Sequence, residues 1–416
     1  MNEISYKDNR VTRMKTRFSY EQAKSFLSGR RLPAAFIDLD AFDDNVRKLT
    51  SMLKGTGKTM RVASKSIRCV DMLKRVFDIG GDAVEGVMCF MMEEACFLSG
   101  KGFYNLLVAY PTVRKPDMEL MVEMTRRGVD VMMVVDCPEH VEIMGEAGRA
   151  GGVELQAVIE VDMSYRPIGE AAHIGIRRST VRSGADALRI ARAAERAGGV
   201  KIVGIMGYEA QIAGIADMNP FSKSLNPVRK AIRNLSKPDV LRLRTEVVLM
   251  LEQQGFEMKV VNGGGTGSVD FTSSDYSCTE VAAGSGFYCP HLFSYYSNLD
   301  LTPAAFFALQ VVRRPLHGMV TCAGGGYIAS GETGPDRLPV PCLPEGSRLT
   351  KFEGAGEVQT PVAIPKNISV EIGDPVIFRH AKAGELTERF KELLLISEGR
   401  IVGSAPTYRG EGMCFM

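Results

Sequence analysis

The chain has 416 residues, which is more than one hydrophobic core usually serves, so two domains are expected. Its 51 lysines and arginines are balanced by 49 aspartates and glutamates, so no charge surplus favours nucleic acid or an anionic membrane as a partner. No apolar run reaches the roughly 20 residues that cross a bilayer, and no membrane span is predicted.

The thiols and the N-terminus indicate a location. The nine cysteines are scattered and form no CxxC pair, which is typical of reduced thiols rather than of a disulfide framework. The first 20 residues are mixed in charge and lack an apolar core, so no signal peptide is predicted. A cytoplasmic protein is therefore expected.

The N-terminal region is predicted to contain a short helix, a strand and a second helix. Ser19 followed by Gln22 resembles a capping box, which predicts a helix that ends near Gly29 and an N-terminal arm over residues 1–31. Residues 35–40 have the pattern of a strand. The following helix has one apolar face, made by Phe42, Val46, Leu49 and Leu53.

From residue 60 onward, apolar strand patterns alternate with helical patterns. The strand candidates are residues 60–65, 82–89, 105–110, 130–136, 153–162, 201–209, 258–264 and 278–286. Eight such units predict a closed parallel barrel, the (β/α)8 or TIM-type fold. Its chemistry is expected at the C-terminal ends of the strands, because that rim collects the loops. The residues predicted at this rim are Lys65, Asp162, Tyr208, Glu209 and the glycine run from Gly263.

Beyond about residue 300 the composition changes. Eight prolines between Pro315 and Pro375 separate short β-prone runs, with glycine clusters between them. This pattern predicts an all-β C-terminal domain over residues 299–416, after a barrel domain over residues 32–298.

Lys65 ends an apolar run and stands between Ser64 and Ser66. A lysine at a strand end can project its amine into a pocket. There, burial and neighbouring cations such as Arg61 and Arg68 lower its pKa and prepare it for Schiff-base formation. The alternative is an ordinary solvated residue at the flank of a strand.

Two glycine-rich turns follow the last two predicted strands of the barrel. Residues 262–268 read Asn-Gly-Gly-Gly-Thr-Gly-Ser, and their backbone N–H groups can close around an anion, with Thr266 adding a hydroxyl. Residues 284–288 read Gly-Ser-Gly-Phe-Tyr and offer a second turn. Turns at these two strand ends commonly form one phosphate site in a barrel, although either turn alone can also be structural.

The five histidines are far apart in the sequence and form no metal-ligand motif with cysteine, so no dedicated metal site is predicted. His140 and His173 are interpreted as surface or loop residues. His380 lies in the polar segment 373–385 after an apolar run. That segment can face a substrate or form an ordinary turn.

Several of these segments together resemble one family. They are residues 32–40, 61–66, 262–266, 279–280, 284–285 and 373–374, with His380. In type and order they resemble the fold-type III pyridoxal-phosphate enzymes. The resemblance is greatest to the D-threonine aldolase and D-serine dehydratase-like branch, also described as amino acid deaminase/aldolase, and the alanine racemases are more distant. It covers nearly all of residues 32–390.

The resemblance implies a cofactor, a set of binding residues and a quaternary state. Lys65 is implied to bind pyridoxal 5′-phosphate as a Schiff base. The other residues implied to bind the cofactor are Gly263, Gly264, Gly265, Thr266, Gly284, Ser285, Gly286 and Phe287 at the phosphate, together with Tyr208 at the rim. The strand at 35–40 is implied to join the β domain. A homodimer is implied, because in this class the β domain of one subunit completes the active site of the other.

Two positions depart from the family pattern. Ala282 stands where racemases place an arginine against the pyridine nitrogen. Glu280 is then the predicted partner of that nitrogen, which a carboxylate keeps protonated. Where metal-dependent aldolases and dehydratases have His-x-Asp or His-x-Cys, this chain has His380-Ala-Lys382. An ammonium group cannot help to bind a cation, so a divalent metal is not predicted; His380 is the expected ligand if one is present.

The predicted function is a pyridoxal-phosphate-dependent lyase that acts on D- or 3-hydroxy amino acids such as D-threonine or D-serine. A base removes the 3-hydroxyl proton for aldol cleavage, or Lys65 removes the α-proton for dehydration and deamination. Lys382, held by Glu385, is predicted to replace the metal at the hydroxyl, with His380 as acid or base. Alternatively, Lys382 points to solvent and His380 only hydrogen-bonds the turn.

Two other functions stay open. An amino-acid racemase needs a second base on the opposite face of the cofactor ring, and Tyr327 in the β domain is the candidate for it. A non-catalytic carrier of pyridoxal phosphate is the third possibility, which the long β domain disfavours.

Overall fold

The computed structural model describes residues 16–416. The predictions made for residues 1–15, which concern the N-terminal arm and the signal peptide, lie outside the described residues. The first elements are helix α1 (Tyr20–Leu27), strand β1 (Ala34–Asp38) and helix α2 (Leu39–Ser51). Helix α1 begins with the predicted capping box: Ser19 Oγ accepts from the Gln22 amide, and the Gln22 side chain accepts from the Ser19 amide. The local signal for this helix is therefore confirmed.

Eight parallel strands form a closed barrel. They are β2 (Thr59–Ala63), β3 (Val84–Cys89), β4 (Leu106–Val108), β5 (Val131–Val135), β6 (Leu155–Glu160), β7 (Val200–Gly207), β8 (Val260–Gly263) and β9 (Glu280–Ala283). Each strand pairs with the next, and β9 pairs with β2, which closes the barrel. The helices after β2 are α3 (Val70–Gly80), α4 (Met92–Gly100), α5 (Lys115–Arg126), α6 (Pro138–Gly151), α7 (Gly184–Ala197), α8 (Ala210–Ala213), α9 (Asn226–Gln253), α10 (Val269–Ser273) and α11 (Ser285–Tyr288).

The barrel interior is filled by alternate strand residues. One buried cluster consists of residues on β4 to β8 and contains no helix residue; Met132, Val134 and Val158 belong to it. Because side chains alternate along a strand, Asp136 and Glu160 continue these inward-facing rows at the C-terminal ends of β5 and β6. Both carboxylates are therefore at the mouth of the barrel.

The remaining strands form a sheet of nine with β1. They are β10 (Ala305–Leu316), β11 (Met319–Ala323), β12 (Val340–Leu343), β13 (Arg348–Leu349), β14 (Gln359–Ala363), β15 (Pro375–Arg379), β16 (Glu392–Ser397) and β17 (Arg400–Pro406). The order is β13-β14-β11-β10-β1-β16-β17, with β15 also paired to β10 and β12 paired to β15. Strand β1 runs antiparallel to β10 and parallel to β16, so it lies in this sheet and not in the barrel. The predicted fold class, a TIM-type barrel with a C-terminal all-β part, is confirmed.

The sheet part contacts the barrel next to the end of β2. Gly384 lies so close to the carbonyl oxygen of Lys65 that a Cβ would not fit between them. The Tyr408 amide donates to the Arg68 carbonyl at 2.9 Å, and its hydroxyl donates to buried Glu94 at 2.8 Å. Among the helices of residues 16–416, none is both long and apolar enough to cross a membrane.

Candidate active site

Lys65 lies at the C-terminal end of β2, in a single 3-10 turn over Ser64–Ser66. It is exposed, whereas every other residue from 60 to 70 is buried. The turn is held by a hydrogen bond from Ser64 Oγ to the Met88 carbonyl (2.9 Å) and by one from Arg68 Nε to the Lys65 carbonyl (2.9 Å). The amine is thus presented at the barrel mouth on a fixed backbone, as the strand-end pattern predicts.

The two arginines near Lys65 in sequence are each paired with a carboxylate. Arg68 lies 2.8 Å from Glu388, and Arg61 binds Glu280 through two nitrogens at 2.6 and 2.7 Å. The positive charges of both arginines are therefore compensated by carboxylates.

Tyr110 is the direct partner of Lys65, and the sequence analysis missed it. Lys65 Nζ lies 2.8 Å from Tyr110 Oη, two residues beyond the end of β4. The guanidinium of Arg178 lies 5.2 Å from the centroid of the Tyr110 ring and 5.7 Å from that of Tyr208, within the range of a cation–π contact. Burial alone would raise the pKa of Tyr110, but the charges of Lys65 and Arg178 lower it overall. The phenol is thereby prepared to exchange a proton with the lysine.

The two glycine turns lie next to each other and next to Lys65. Ser285 Oγ is 3.1 Å from Ser66 Oγ, and Thr266 Oγ1 accepts hydrogen bonds from the amides of Gly286 (3.0 Å) and Gly284 (3.4 Å). The segments 263–267 and 284–286 therefore form one continuous surface beside the lysine. This is the convergence that their positions after β8 and β9 predict.

Backbone amides without partners in these turns could bind an anion. The turn packs closely at Gly265, where a Cβ would meet the Tyr208 ring at 3.0 Å. Within residues 16–416, the amides of Gly265, Thr266 and Ser285 donate to no other group, whereas the Phe287 amide already donates to the Gly284 carbonyl at 3.2 Å. The side chain of Phe287 is fully buried in the core. In the second turn the amide without a partner is therefore that of Ser285, and the amides of Gly286 and Phe287 are already used within the protein.

Glu209 holds the glycine turn over residues 263–268 through hydrogen bonds from the buried side. It is fully buried and accepts from the Gly264 amide at 3.1 Å and from Ser268 Oγ at 2.9 Å. Arg244, on α9, lies 2.9 Å from the same carboxylate and also pairs with Asp275. Gly264 has a φ of +89°, which a side chain rarely adopts. The buried ion pair therefore holds the strained turn in place. The sequence analysis located Glu209 at the rim but did not find this network.

Glu280 lies at the N-terminal end of β9, deep inside the barrel. Both of its oxygens bind Arg61, and one also accepts from Asn262 Nδ2 at 2.8 Å. Arg61 donates in addition to the backbone and side-chain oxygens of Asn105, just before β4. Glu280 thus belongs to a buried cluster with Arg61, Asn105 and Asn262 at the end of the barrel away from the rim. Its predicted partner, the pyridine nitrogen of the cofactor, is expected at the rim.

His380 and Lys382 follow β15. His380 is buried, and neither of its ring nitrogens has a hydrogen-bond partner in the turn that follows β15. Burial, with the charges of Arg379 and His291, lowers the pKa of His380 to about 3, so the ring is neutral near pH 7. A buried imidazole with two free nitrogens fits a ligand.

Lys382 has the partner that the sequence predicts. Its Nζ lies 3.8 Å from Glu385 and 2.9 Å from Ser330 Oγ, and Glu385 also accepts from the Ser330 amide at 3.0 Å. Burial, and then the charges of Arg337 and Lys65, lower the pKa of Lys382. Gly384, two residues after Lys382, packs against the Lys65 carbonyl, so Lys382 lies near the turn that carries Lys65. A cation there does not fit the second ligand position of a metal site.

Tyr327 does not contact the lysine of its own chain. Its ring packs against Phe307 (centroids 5.0 Å apart) and Phe390 (5.5 Å) in the β part. No contact between Tyr327 and Lys65 or Tyr110 exists within residues 16–416.

Glu160 is a second residue that sequence reasoning missed. It ends β6, is buried, and lies 3.6 Å from Arg178. Burial, partly offset by Arg178, raises its pKa to about 7. A carboxyl group at the barrel mouth that can hold a proton near neutral pH is suited to acid–base chemistry. By contrast, the rim residue Asp162 is paired with Arg166 (2.8 Å) and Arg182 (3.0 Å).

One histidine lies near a cysteine and a carboxylate. Asp136, Cys137 and His140 have ligand atoms within 4.8 Å of one another at the end of β5. The sequence spacing did not predict this group, because the first turn of α6 brings His140 back over the residues that precede the helix. His173 meets its interpretation, since its ring contacts only the Ile176 carbonyl (3.2 Å) in a loop.

Comparisons with known proteins agree with this architecture. The family model described as alanine racemase, N-terminal domain, matches residues 37–289. A 3-hydroxy-D-aspartate aldolase of Paracoccus denitrificans (strain Pd 1222) is 26% identical over 253 residues, which are 61% of this chain. The chain spans only 59% of the length of that relative.

Two further similarities extend over more of the chain. A D-threonine aldolase of Arthrobacter sp is 22% identical over 311 residues, 74% of each protein. The crystal structure of D-threonine aldolase from Filomicrobium marinum superposes with a TM-score of 0.76 at 20% identity, covering 91% of this chain and 95% of that one. At this identity the superposition shows the shared fold.

Proposed function

The chain belongs to the alanine racemase N-terminal domain family, and from this premise we propose that it is a pyridoxal-phosphate-dependent lyase. Its substrates would be D- or 3-hydroxy amino acids such as D-threonine or D-serine. One observation carries the proposal: the exposed amine of Lys65 adjoins two glycine turns whose backbone amides are free to bind a phosphate.

The residues at the mouth fit this cofactor. Lys65 would hold its aldehyde carbon, and the amides of Gly265, Thr266 and Ser285 would hold its phosphate. Because Gly265 has no side chain, its backbone can lie directly against the Tyr208 ring, where a Cβ would meet the ring at 3.0 Å. When bound, pyridoxal phosphate withdraws electrons from the bonds at the α-carbon of the substrate.

Proton transfer would involve Lys65, Tyr110 and Glu160. Tyr110 Oη, at 2.8 Å from Lys65 Nζ, can take a proton from that amine or return it. Lys65 can then remove the α-proton in dehydration. Arg178 lies near both groups: its charge lowers the pKa of Tyr110 and partly offsets the burial that raises the pKa of Glu160 to about 7.

The substrate hydroxyl would meet His380 and Lys382. Neutral His380 can accept the 3-hydroxyl proton in aldol cleavage, and the Lys382 ammonium can stabilise the oxygen that becomes negative. Glu385 and Ser330 orient the lysine. In this way a fixed positive charge takes the place that a divalent ion has in metal-dependent relatives.

The lyase is favoured over the two alternatives. The relatives with the sequence similarities given above are named as aldolases. The racemase would need a second base at the cofactor, and Tyr327 could supply it only from a second subunit, since in its own subunit this residue packs in the β part. A non-catalytic carrier of pyridoxal phosphate would not need the polar side chains around Lys382 for a reaction.

We also propose a cytoplasmic homodimer. The nine cysteines are free thiols, which suits a reducing compartment. A dimer would allow the β part of a second subunit to complete the mouth, as the family resemblance implies.

The cofactor can be tested directly. Purified protein should show an absorption band of bound cofactor, and borohydride should fix the cofactor mass on Lys65. A Lys65→Ala protein that still binds reducible cofactor at another lysine would refute the assignment. A Lys58→Ala variant is a suitable control, because Lys58 binds the Ser273 carbonyl away from the mouth.

The reaction can be tested with three substrates. Incubation with D-threonine, D-serine and D-alanine is followed by assays for glycine, pyruvate and L-alanine. Glycine or pyruvate is the expected product. L-alanine alone would identify the racemase, and no turnover with bound cofactor would identify the carrier.

A further inference from the structure

The cluster of Asp136, Cys137 and His140 is separate from the groups used above. Asp136 follows β5 directly, Cys137 precedes α6, and His140 is the third residue of that helix. One carboxylate oxygen, one sulfur and one ring nitrogen lie within 4.8 Å of one another. These are three different atom types that bind transition metals.

The distances within the cluster suit a shared ion. His140 Nδ1 lies 3.1 Å from Asp136 Oδ1, and the same nitrogen lies 3.3 Å from the Asp136 amide. Because the amide donates to it, Nδ1 carries a lone pair and no proton, and a bound ion would take the place of the amide hydrogen at that lone pair. Two ligand atoms that are each about 2.1 Å from one zinc-like ion are about 3 to 3.4 Å apart. The pair therefore has the spacing of neighbouring ligands.

The position of the cluster gives it access to ligand exchange. The side chains of Asp136 and His140 are each 17% exposed, so the cluster is partly shielded but not closed. Asp136 continues the inward row of Met132 and Val134, which places its carboxylate at the barrel mouth. Arg178, which follows β6, is paired with Glu160 at 3.6 Å, and the only ion pair of Asp136 within residues 16–416 is the one with His140.

We propose that Asp136, Cys137 and His140 bind a divalent transition-metal ion of the zinc class. Binding forms a metal–sulfur bond and releases the thiol proton of Cys137 to solvent, with no change of oxidation state. Sulfur, nitrogen and oxygen together favour zinc or cobalt over magnesium or calcium. Three protein ligands leave one position open to water. The site does not depend on the proposed lyase function, and it is distinct from His380.

The test uses the full chain with its bound cofactor, treated with chelator and then titrated with Co²⁺. We expect one Co²⁺ per chain and a sulfur-to-cobalt absorption band in the near ultraviolet, measured as a difference spectrum against the cobalt-free protein. Cys137→Ser should abolish the band. His140→Ala should weaken binding by more than about a hundredfold, because even the loss of an outer partner costs 10- to 100-fold.

Matched controls separate this site from other ligands. Cys414→Ser and His317→Ala change an exposed cysteine and an exposed histidine, and both should bind Co²⁺ as the unchanged chain does. Circular dichroism establishes that Cys137→Ser is folded. No sulfur-to-cobalt band in the unchanged chain would overturn the proposal. A band that persists in Cys137→Ser, or one that disappears only in His380→Ala, would do the same. None of these three results depends on lyase activity.

Discussion

The buried pair of Arg61 and Glu280 allows a test that separates a structural carboxylate from one that serves the cofactor. We consider Glu280→Gln, which keeps the shape of the side chain and removes its charge. If Glu280 serves Arg61, the variant loses stability and keeps its cofactor chemistry. If it instead keeps the pyridine nitrogen protonated, the variant loses activity and keeps its stability.

The size of the stability loss follows from the contacts of Arg61. The guanidinium makes four hydrogen bonds at 2.6 to 2.8 Å, two to Glu280 and two to Asn105, and its side chain is fully buried. A glutamine retains one acceptor but turns an amide N–H₂ toward the other guanidinium nitrogen. Removing one member of a buried ion pair costs about 3 to 5 kcal/mol, since the other charge stays buried without compensation. We expect a loss of this size.

Urea unfolding of the cofactor-free protein, followed by circular dichroism, measures the stability. The absorption spectrum of bound cofactor and kcat measure the chemistry. Glu85→Gln is a matched control, because Glu85 is exposed and contacts only Asn105 of the same cluster (3.2 Å); its stability should change by less than about 0.5 kcal/mol. Unchanged stability of Glu280→Gln together with a shifted cofactor spectrum and slower turnover would refute the reasoning.

Four further outcomes are expected. Gly286→Val should weaken cofactor affinity about 10- to 100-fold, because its Cβ would meet Thr266 at 2.7 Å and displace the turn so that a charge-assisted hydrogen bond from the Thr266 or Ser285 amide is lost. Gly403→Val, with open space around its Cβ, should leave the affinity unchanged, and equal cofactor affinity in both variants would count against the phosphate turn. Tyr110→Phe should lower kcat about 10²- to 10⁴-fold while borohydride still fixes cofactor on the lysine, and an unchanged pH–rate profile would contradict a role in proton transfer. Enzyme activity should be unchanged in EDTA and should be lost in Lys382→Met. Loss of activity in EDTA that manganese or zinc restores would refute the proposal that Lys382 replaces a divalent metal. Burial raises the pKa of Glu94 from 4.5 to about 7, so the neutral form contributes stability that is full below about pH 4.5 and is lost as the pH rises to about 7. Glu94→Gln should flatten the curve of stability against pH in this range, which unfolding midpoints measured between pH 4.5 and 7 would show.

Local patterns in the sequence were sufficient for the framework. The capping box at Ser19, the eight barrel strands and the lysine at the end of β2 each depend on residues that are close in the chain. The period of apolar residues distinguishes strand from helix. The alternation of strands and helices predicts a parallel barrel. In such a barrel the chemistry lies at the C-terminal ends of the strands, so the position of the site can be predicted without any side-chain contact. The predicted resemblance to the alanine racemase superfamily is confirmed for the same reason, since it rests on short segments in a fixed order.

The partners of those residues were decided only by the tertiary structure. Arg61 is four residues from Lys65 in sequence, yet its guanidinium binds Glu280, 219 residues away. Tyr110 reaches Lys65 from another strand, because barrel closure brings the ends of β2 and β4 to one mouth. Side-chain contacts across strands depend on the register and stagger of the whole barrel. No local period encodes these quantities, so the pattern could locate the lysine but not the groups that set its chemistry.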